Sequence, residues 1–143
     1  MYLTLFHVFC HDICFYAVHL GLHSPMMYWM HKQHHKTHHT DLRYWHTNEG
    51  HMLENIIQPL GICIPFLWSW SPMSFLTASA IIGVRGLIRH DNRLTWLFGK
   101  HHISHHRYGN CNYGEYWIDS LCGTLRQDAD ASFLSEACDP PSS

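Results

Sequence analysis

Residues 56–88 read IIQPLGICIPFLWSWSPMSFLTASAIIGVRGLI, and Arg85 is the one charged side chain among them. The run is interrupted at Trp70-Ser71-Pro72. A proline ring clashes with helical backbone at the residue before it, so Ser71 reads as a turn between two apolar arms. Each arm is shorter than the ~20 residues that a simple spanning helix needs. The pattern predicts a helical hairpin, either tilted and spanning a membrane or re-entrant. A hairpin in a soluble core fits the same pattern, and a mean hydropathy of −0.18, low for a membrane protein, keeps that alternative open.

Outward from the hairpin, residues 2–22 are apolar with His7, His11, Asp12 and His19 embedded in them. No basic segment precedes them and no small-x-small site follows, so a secretory signal fits poorly. Aspartate and histidine are costly in lipid and should face a protein interior or a polar cavity. The segment is expected to be a helix entering the membrane with one functional face. Residues 31–55 are polar and dense in histidine. All nine cations, Lys32, Lys36, Arg43, Arg85, Arg89, Arg93, Lys100, Arg107 and Arg126, avoid the hairpin tip. By the positive-inside bias both histidine-rich regions then lie on the cytosolic face. Because a hairpin returns the chain to its starting side, residues 19–51 and 90–106 can meet there. The expected fold class is all-α, with membrane-embedded helical hairpins under a cytosol-facing, histidine-rich helical cap. Residues 1–126 form its domain, and 127–143, rich in Asp, Ser and Pro, read as a mobile tail.

Sixteen histidines stand against nine Lys and Arg and eleven Asp and Glu, with a net charge of −2. That balance excludes a basic nucleic-acid footprint. An apolar fraction of 46% excludes a disordered histidine-rich tract. The six cysteines contain no Cys-x-x-Cys, which argues against a zinc ribbon, and they read as reduced thiols. Cys10 and Cys14, one turn apart beside His7 and His11, fit either a metal site or helix packing.

Three histidine clusters carry the chemistry. His19 and His23 are spaced i, i+4, and His31/His34/His35 and His102/His105/His106 are each spaced i, i+3, i+4, so each set is expected on one helical face. Neutral imidazole is a good ligand for iron, copper, nickel and zinc. Buried imidazoles without partners cost free energy, so eight of them in three boxes point to metal rather than packing. One transition ion takes about four to six ligands, so eight or more imidazoles suggest two ions.

The boxes, in this order around an apolar hairpin, resemble the fatty acid hydroxylase/sterol desaturase superfamily of integral membrane non-haem di-iron enzymes. The flanks agree as well. Asp12-Ile-Cys-Phe15-Tyr16-Ala-Val-His19 resembles the family's lead-in. The spacing from His23 to His31 and Lys32 is similar, and His51-Met-Leu-Glu54 resembles its His-Pro-x-Glu element with Met52 in the proline's place. Asn112-Tyr113-Gly114 and Asp119-Ser-Leu-Cys-Gly123-Thr124 look like the family's close. The resemblance covers about residues 8–126. It implies two iron ions held by His19, His23, His31, His34, His35, His102, His105 and His106, with His90 as an additional ligand and His51 as ligand or neighbour. His35/His38/His39 repeats the second-box spacing, so that register has two readings, of which the distance from His23 favours His31/His34/His35. Asp12, Glu54 and Asp119 are candidates to accept imidazole N–H bonds and fix ring orientation, or else are helix-end or solvated carboxylates. His38, His39, His46 and His101 are expected at the surface or behind the ligands.

The resemblance further implies dioxygen-dependent hydroxylation or desaturation of a membrane lipid, a sterol or a fatty acyl chain. No flavin or nicotinamide fingerprint is present, so electrons come from outside, in this family from a b-type cytochrome with its reductase. Lys and Arg near the boxes can dock such a donor or simply set topology. Phe66, Trp68, Trp70 and Phe75 can line a lipid path or anchor the helices. The implied location is the endoplasmic reticulum if the source is eukaryotic and the inner membrane if bacterial, with homo-oligomers allowed. Two alternatives stand beside this: a truncated, non-catalytic metal-binding membrane protein, and a soluble metallohydrolase, which the hairpin, the cation distribution and the few carboxylates oppose.

Overall fold

A computed structural model describes residues 1–127; the expected tail from 128 onward lies outside the described residues. Every regular element among the described residues is helical. α1 (Tyr2–Leu22) is followed by α2 (Tyr28–His31), α3 (Met52–Ile57), α4 (Pro72–Arg89), α5 (Thr95–Phe98), α6 (His101–Tyr108) and α7 (Tyr116–Cys122). Short 3-10 turns occupy His34–Lys36, Tyr44–Asn48 and Asn92–Leu94, and α3 runs directly into a 3-10 segment, Gln58–Leu67.

The hairpin forms where the sequence placed it. α3 and its 3-10 extension make the first arm and α4 the second, with both packed on α1. Ser71 caps α4 from a non-helical backbone (φ −136°, ψ 82°), its hydroxyl hydrogen-bonds the Ser74 hydroxyl at 2.8 Å, and Pro72 occupies the first turn, where its missing N–H costs nothing. The first arm is not the regular helix expected. A ten-residue 3-10 run is far longer than the ~3–4 residues usual for that conformation. Pro59 and Pro65 account for it, since neither can donate to the helical ladder. The winding lengthens the arm. At ~2.0 Å per 3-10 residue and ~1.5 Å per α residue, residues 52–67 extend about 29 Å, against about 27 Å for α4 and about 31 Å for α1. These lengths match a hydrocarbon layer of ~30 Å. α1 is the one helix among the described residues that is long and apolar enough by itself to cross a membrane.

Two features fix α1 against the hairpin. Gly61 lies so close to α1 that a Cβ there would stand 2.4 Å from Cys14 Cβ and 2.8 Å from the Cys10 carbonyl oxygen. At the far end His7 is fully buried between Phe66 and Phe75 and donates Nδ1–H to the Ile62 carbonyl at 2.6 Å. Phe66 and Phe75 therefore pack on α1, while Trp68 and Trp70 stand out from the tip, 72% and 77% exposed. The embedded Asp12 is compensated. It pairs with Arg85 of α4, whose Nε also reaches Glu115 at 2.9 Å, and Arg89 pairs with the same glutamate. This network ties α1, α4 and the start of α7 together while leaving neither carboxylate without a cation. Outside it, Leu5, Phe9, Leu60, Leu76 and Val84 present an apolar exterior.

Candidate metal centre

The hairpin returns the chain to the C-terminal end of α1, and nine imidazoles converge there in two groups. His19, His23, His31, His35 and His105 form one; His34, His90, His102 and His106 form the other. Within each group the ligand-type nitrogens lie within 4.8 Å of one another. α1 delivers His19 from its last turn and His23 from its C-cap, α2 ends on His31, and the 3-10 turn after it carries His34 and His35. His90 caps the C-terminus of α4, and α6 carries the remainder.

The boxes do not each map onto one face of one site. In each three-histidine box the i, i+4 pair enters one group and the i+3 residue enters the other: His31 and His35 face His105, while His34 faces His102 and His106. Residues at i+3 and i+4 sit about 100° apart around a helix, so a box between two centres serves both. The second box is moreover not one helix, because α2 stops at His31 and the backbone turns before the 3-10 segment.

Tautomers follow from the hydrogen bonds. His19 Nδ1 meets the Tyr113 carbonyl at 2.6 Å, His105 Nδ1 the Cys111 carbonyl at 2.7 Å, His90 Nδ1 the Gly86 carbonyl at 2.9 Å and His34 Nδ1 the Glu49 carbonyl at 3.2 Å. His31 Nδ1 meets Glu54 Oε1 at 2.7 Å. Carbonyls and carboxylates accept, so these five Nδ1 atoms carry the proton and their Nε2 atoms carry bare lone pairs. Yet the Nε2 atoms face each other, His19 to His31 at 3.1 Å and His34 to His90 at 3.1 Å. Two lone pairs at that distance repel unless a cation lies between them. Neither ring nitrogen of His106 has a hydrogen-bond partner. The other Nε2 contacts are His31–His35 at 3.0 Å, His35–His105 at 3.1 Å, His23–His105 at 3.2 Å and His90–His102 at 2.9 Å. Two nitrogens on one ion with bonds of ~2.1 Å at right angles stand about 3.0 Å apart. The donor set therefore fits metal ions.

Electrostatics agree. Burial, reinforced by neighbouring imidazoles, lowers His31 to about 2 and His23 to about 4. Burial outweighs the hydrogen bonds of His35 and His90, with Arg89 and nearby imidazoles adding to it at His90, and both fall to about 4. His34, His102, His105 and His106 are held well below the ordinary range by burial and then by neighbouring imidazoles. All stay neutral at physiological pH, the form that binds metal.

The remaining candidates fall elsewhere. His51 lies outside both groups: its Nδ1 accepts the Leu53 N–H at 3.2 Å, capping α3, and its ring packs on Trp29. Of the three carboxylates, Glu54 accepts from a clustered histidine. Asp12 accepts from His11 at 3.2 Å and from Arg85, and Asp119 from His101 at 3.0 Å. His101, the first residue of α6, is buried and turned to Asp119 rather than to either group. His38 turns away to Thr40, so the His31/His34/His35 register is the one that reaches the centre. Cys10 and Cys14 join no ligand group among the described residues and pack against Gly61 instead. The carbonyls of Cys111, Tyr113, Gly86 and Glu49, which set four tautomers, left no mark in the sequence, because every residue has one. A cavity of about 330 Å³ reaches His19, His34, His90 and His102 between α1 and α4.

Comparison with known proteins is consistent with this geometry. The fatty acid hydroxylase family model matches residues 4–124. A Delta(7)-sterol 5(6)-desaturase of Leptosphaeria maculans is 30% identical over 141 residues, covering 87% of this chain and 37% of that protein. Its counterpart in Aspergillus fumigatus is 29% identical, covering 87% and 38%, and one in Gibberella zeae is 26% identical, covering 86% and 41%. The chain thus spans about two-fifths of the length of these curated relatives. No solved structure matches it.

Proposed function

The chain belongs to the fatty acid hydroxylase family, and from that premise we propose that it is a membrane-bound oxidoreductase that desaturates or hydroxylates a lipid, with one iron ion in each histidine group. The observation that carries this reading is the set of bare Nε2 atoms facing one another at about 3 Å. Iron held there supplies the redox chemistry that activates dioxygen for attack on an unactivated C–H bond.

The chain's own residues do the rest. Backbone carbonyls and Glu54 hold five Nδ1 protons so that five Nε2 lone pairs stay aimed inward. The apolar walls from Phe15, Ile82 and Leu87 suit a hydrocarbon chain or ring, while Asn48, Asn55 and Gln58, with Arg85 and Arg89, give the cavity a polar side. The similarity to sterol desaturases favours a sterol over a fatty acyl chain. Electrons come from an external donor, a b-type cytochrome with its reductase. The histidine groups lie on the cytosolic side, with the hairpin and α1 in the bilayer.

The test is metal content and oxygen uptake of the detergent-purified protein, supplied with a reductant and a mixed lipid extract. Two irons per chain and lipid-dependent uptake, lost in the His105→Ala/His106→Ala variant, are expected. Zinc alone, or iron without lipid-dependent uptake, overturns the oxidoreductase reading in favour of a metal-binding membrane protein without catalysis.

A further inference from the structure

The loop between α6 and α7 supplies the five-histidine group with two of its tautomer-setting acceptors, the carbonyls of Cys111 and Tyr113. Between them stands Asn112, the one non-glycine residue with a left-handed backbone among the described residues (φ 56°). That conformation turns the chain sharply enough for the carbonyls on either side to reach His105 and His19 of the same group. A left-handed residue is strained and needs its surroundings to hold it. Asn112 is wholly buried, and its side chain is used completely. Nδ2 donates to the carbonyls of His101 and Arg126, both at 3.0 Å, and Oδ1 accepts the Arg126 N–H at 2.7 Å.

The next residues of the loop are held by Asp119, also wholly buried. Its Oδ1 accepts the Tyr113 N–H at 2.9 Å and the Thr124 hydroxyl at 2.6 Å. Its Oδ2 accepts the Gly114 N–H at 2.9 Å and the His101 Nε2–H at 3.0 Å. Gly114 sits so tightly that a Cβ would lie 2.7 Å from Ile118 and 3.1 Å from Tyr16, so the loop backbone packs directly on α7 and α1. Neither Asn112 nor Asp119 has a hydrogen bond to a histidine of either group. Both act one peptide away.

We propose that Asn112 and Asp119 are positioning residues for the five-histidine group, acting through the 111–114 loop to hold His19 and His105 with Nδ1 protonated and Nε2 aimed inward. The assignment rests on the reading of the two groups as metal sites. It goes beyond that reading by making the His19 and His105 tautomers depend on a buried loop clamp, which also holds His101 at the start of α6. His34 and His90 take their acceptors from Glu49 and Gly86, which the clamp does not touch.

The test uses the full chain in detergent, with zinc as a diamagnetic probe and ¹⁵N-labelled histidine read by long-range nitrogen–proton NMR. In the wild type two zinc ions are expected, with His19 and His105 as the Nδ1–H tautomer. In Asp119→Asn the His19 and His105 signals should shift to mixed tautomers and one zinc should bind ~10–100-fold more weakly, the range for loss of an outer-shell partner, while the signals of His34 and His90, whose acceptors the clamp does not touch, stay in place. Thr124→Val, which removes one donor to Asp119 and leaves the carboxylate, should produce the same change at smaller size and serves where Asp119→Asn does not fold. General destabilisation moves both groups together, and that result overturns the proposal, as does an unchanged pair of zinc affinities. A wild type that binds no metal overturns the metal reading itself, and the tautomers of the metal-free chain then decide the loop's role: Nδ1–H in the wild type and mixed in the variants supports it, no difference overturns it.

Discussion

Replacing Glu54 tests the geometry of the centre most directly. Glu54 is 1% exposed, and its Oε1 accepts the His31 Nδ1–H at 2.7 Å, with the Gln58 side-chain amide sharing that oxygen at 3.2 Å. Gly50 leaves room for the carboxylate, since a Cβ there would stand 2.8 Å from Oε2. When a cation sits on His31 Nε2, the carboxylate stabilises the charge that spreads over the ring, and a charge-assisted bond of this kind is worth about 1.5–3 kcal/mol. Glu54→Ala removes the partner and leaves the His31 Nδ1–H buried without one, so affinity at the five-histidine site should fall about 100-fold, or about 2.7 kcal/mol. Glu54→Gln keeps an acceptor and loses the charge, and its loss should be nearer 10-fold, about 1.4 kcal/mol. Competition with a chelator, read as metal bound per chain, separates the cases: one ion should leave early and the other stay. Unchanged affinity in Glu54→Ala, or equal weakening at both sites, refutes the reasoning.

Three further outcomes follow from the same structure. His35 and His90 titrate near 4 in the fold against about 6.5 when unfolded, so the unfolded chain binds more protons between those values. The stability of the metal-free protein should therefore be full above pH 6.5 and fall as pH drops toward 4, by up to about 1.4 kcal/mol per unit for each histidine, and a flat thermal-unfolding profile over pH 4–8 counts against their burial. Gly61→Ala drives a methyl into Cys14 and the α1 backbone and should cost about 1–3 kcal/mol in denaturant unfolding, whereas Gly83→Ala, which meets nothing within 4 Å, should cost no stability. Replacing His38 and His39 together by alanine should leave metal stoichiometry intact, while replacing His31 and His34 together should lower it; the reverse result would assign the second box to the His35/His38/His39 register.

Much of the fold was legible because its signals are local. The apolar run, the proline after Ser71 and the absence of cations at the tip each act over a few residues, and they placed the hairpin and its turn correctly. The 3-10 winding of residues 58–67 was missed because the apolar pattern does not distinguish it from α-helix; Pro59 and Pro65 were the available sign. The lone aspartate in α1 was legible as a residue needing a partner, but that the partner is Arg85, seventy-three positions away, depends on how α4 lies against α1.

The histidine boxes show the same division. By itself the sequence determined which imidazoles were available, because i, i+3 and i+4 spacing keeps side chains near one another in the helical turns that carry them, even where α2 gives way to a 3-10 turn. Only the tertiary structure decided how they divide, sending His31 and His35 to one group and His34 to the other, because that depends on where α6 and the end of α4 meet α1. It also decided that Glu54, and neither Asp12 nor Asp119, touches a clustered histidine, and that His51 caps a helix. The acceptors that fix His19, His34, His90 and His105 are backbone carbonyls, identical in every residue, so their role comes from position in space alone.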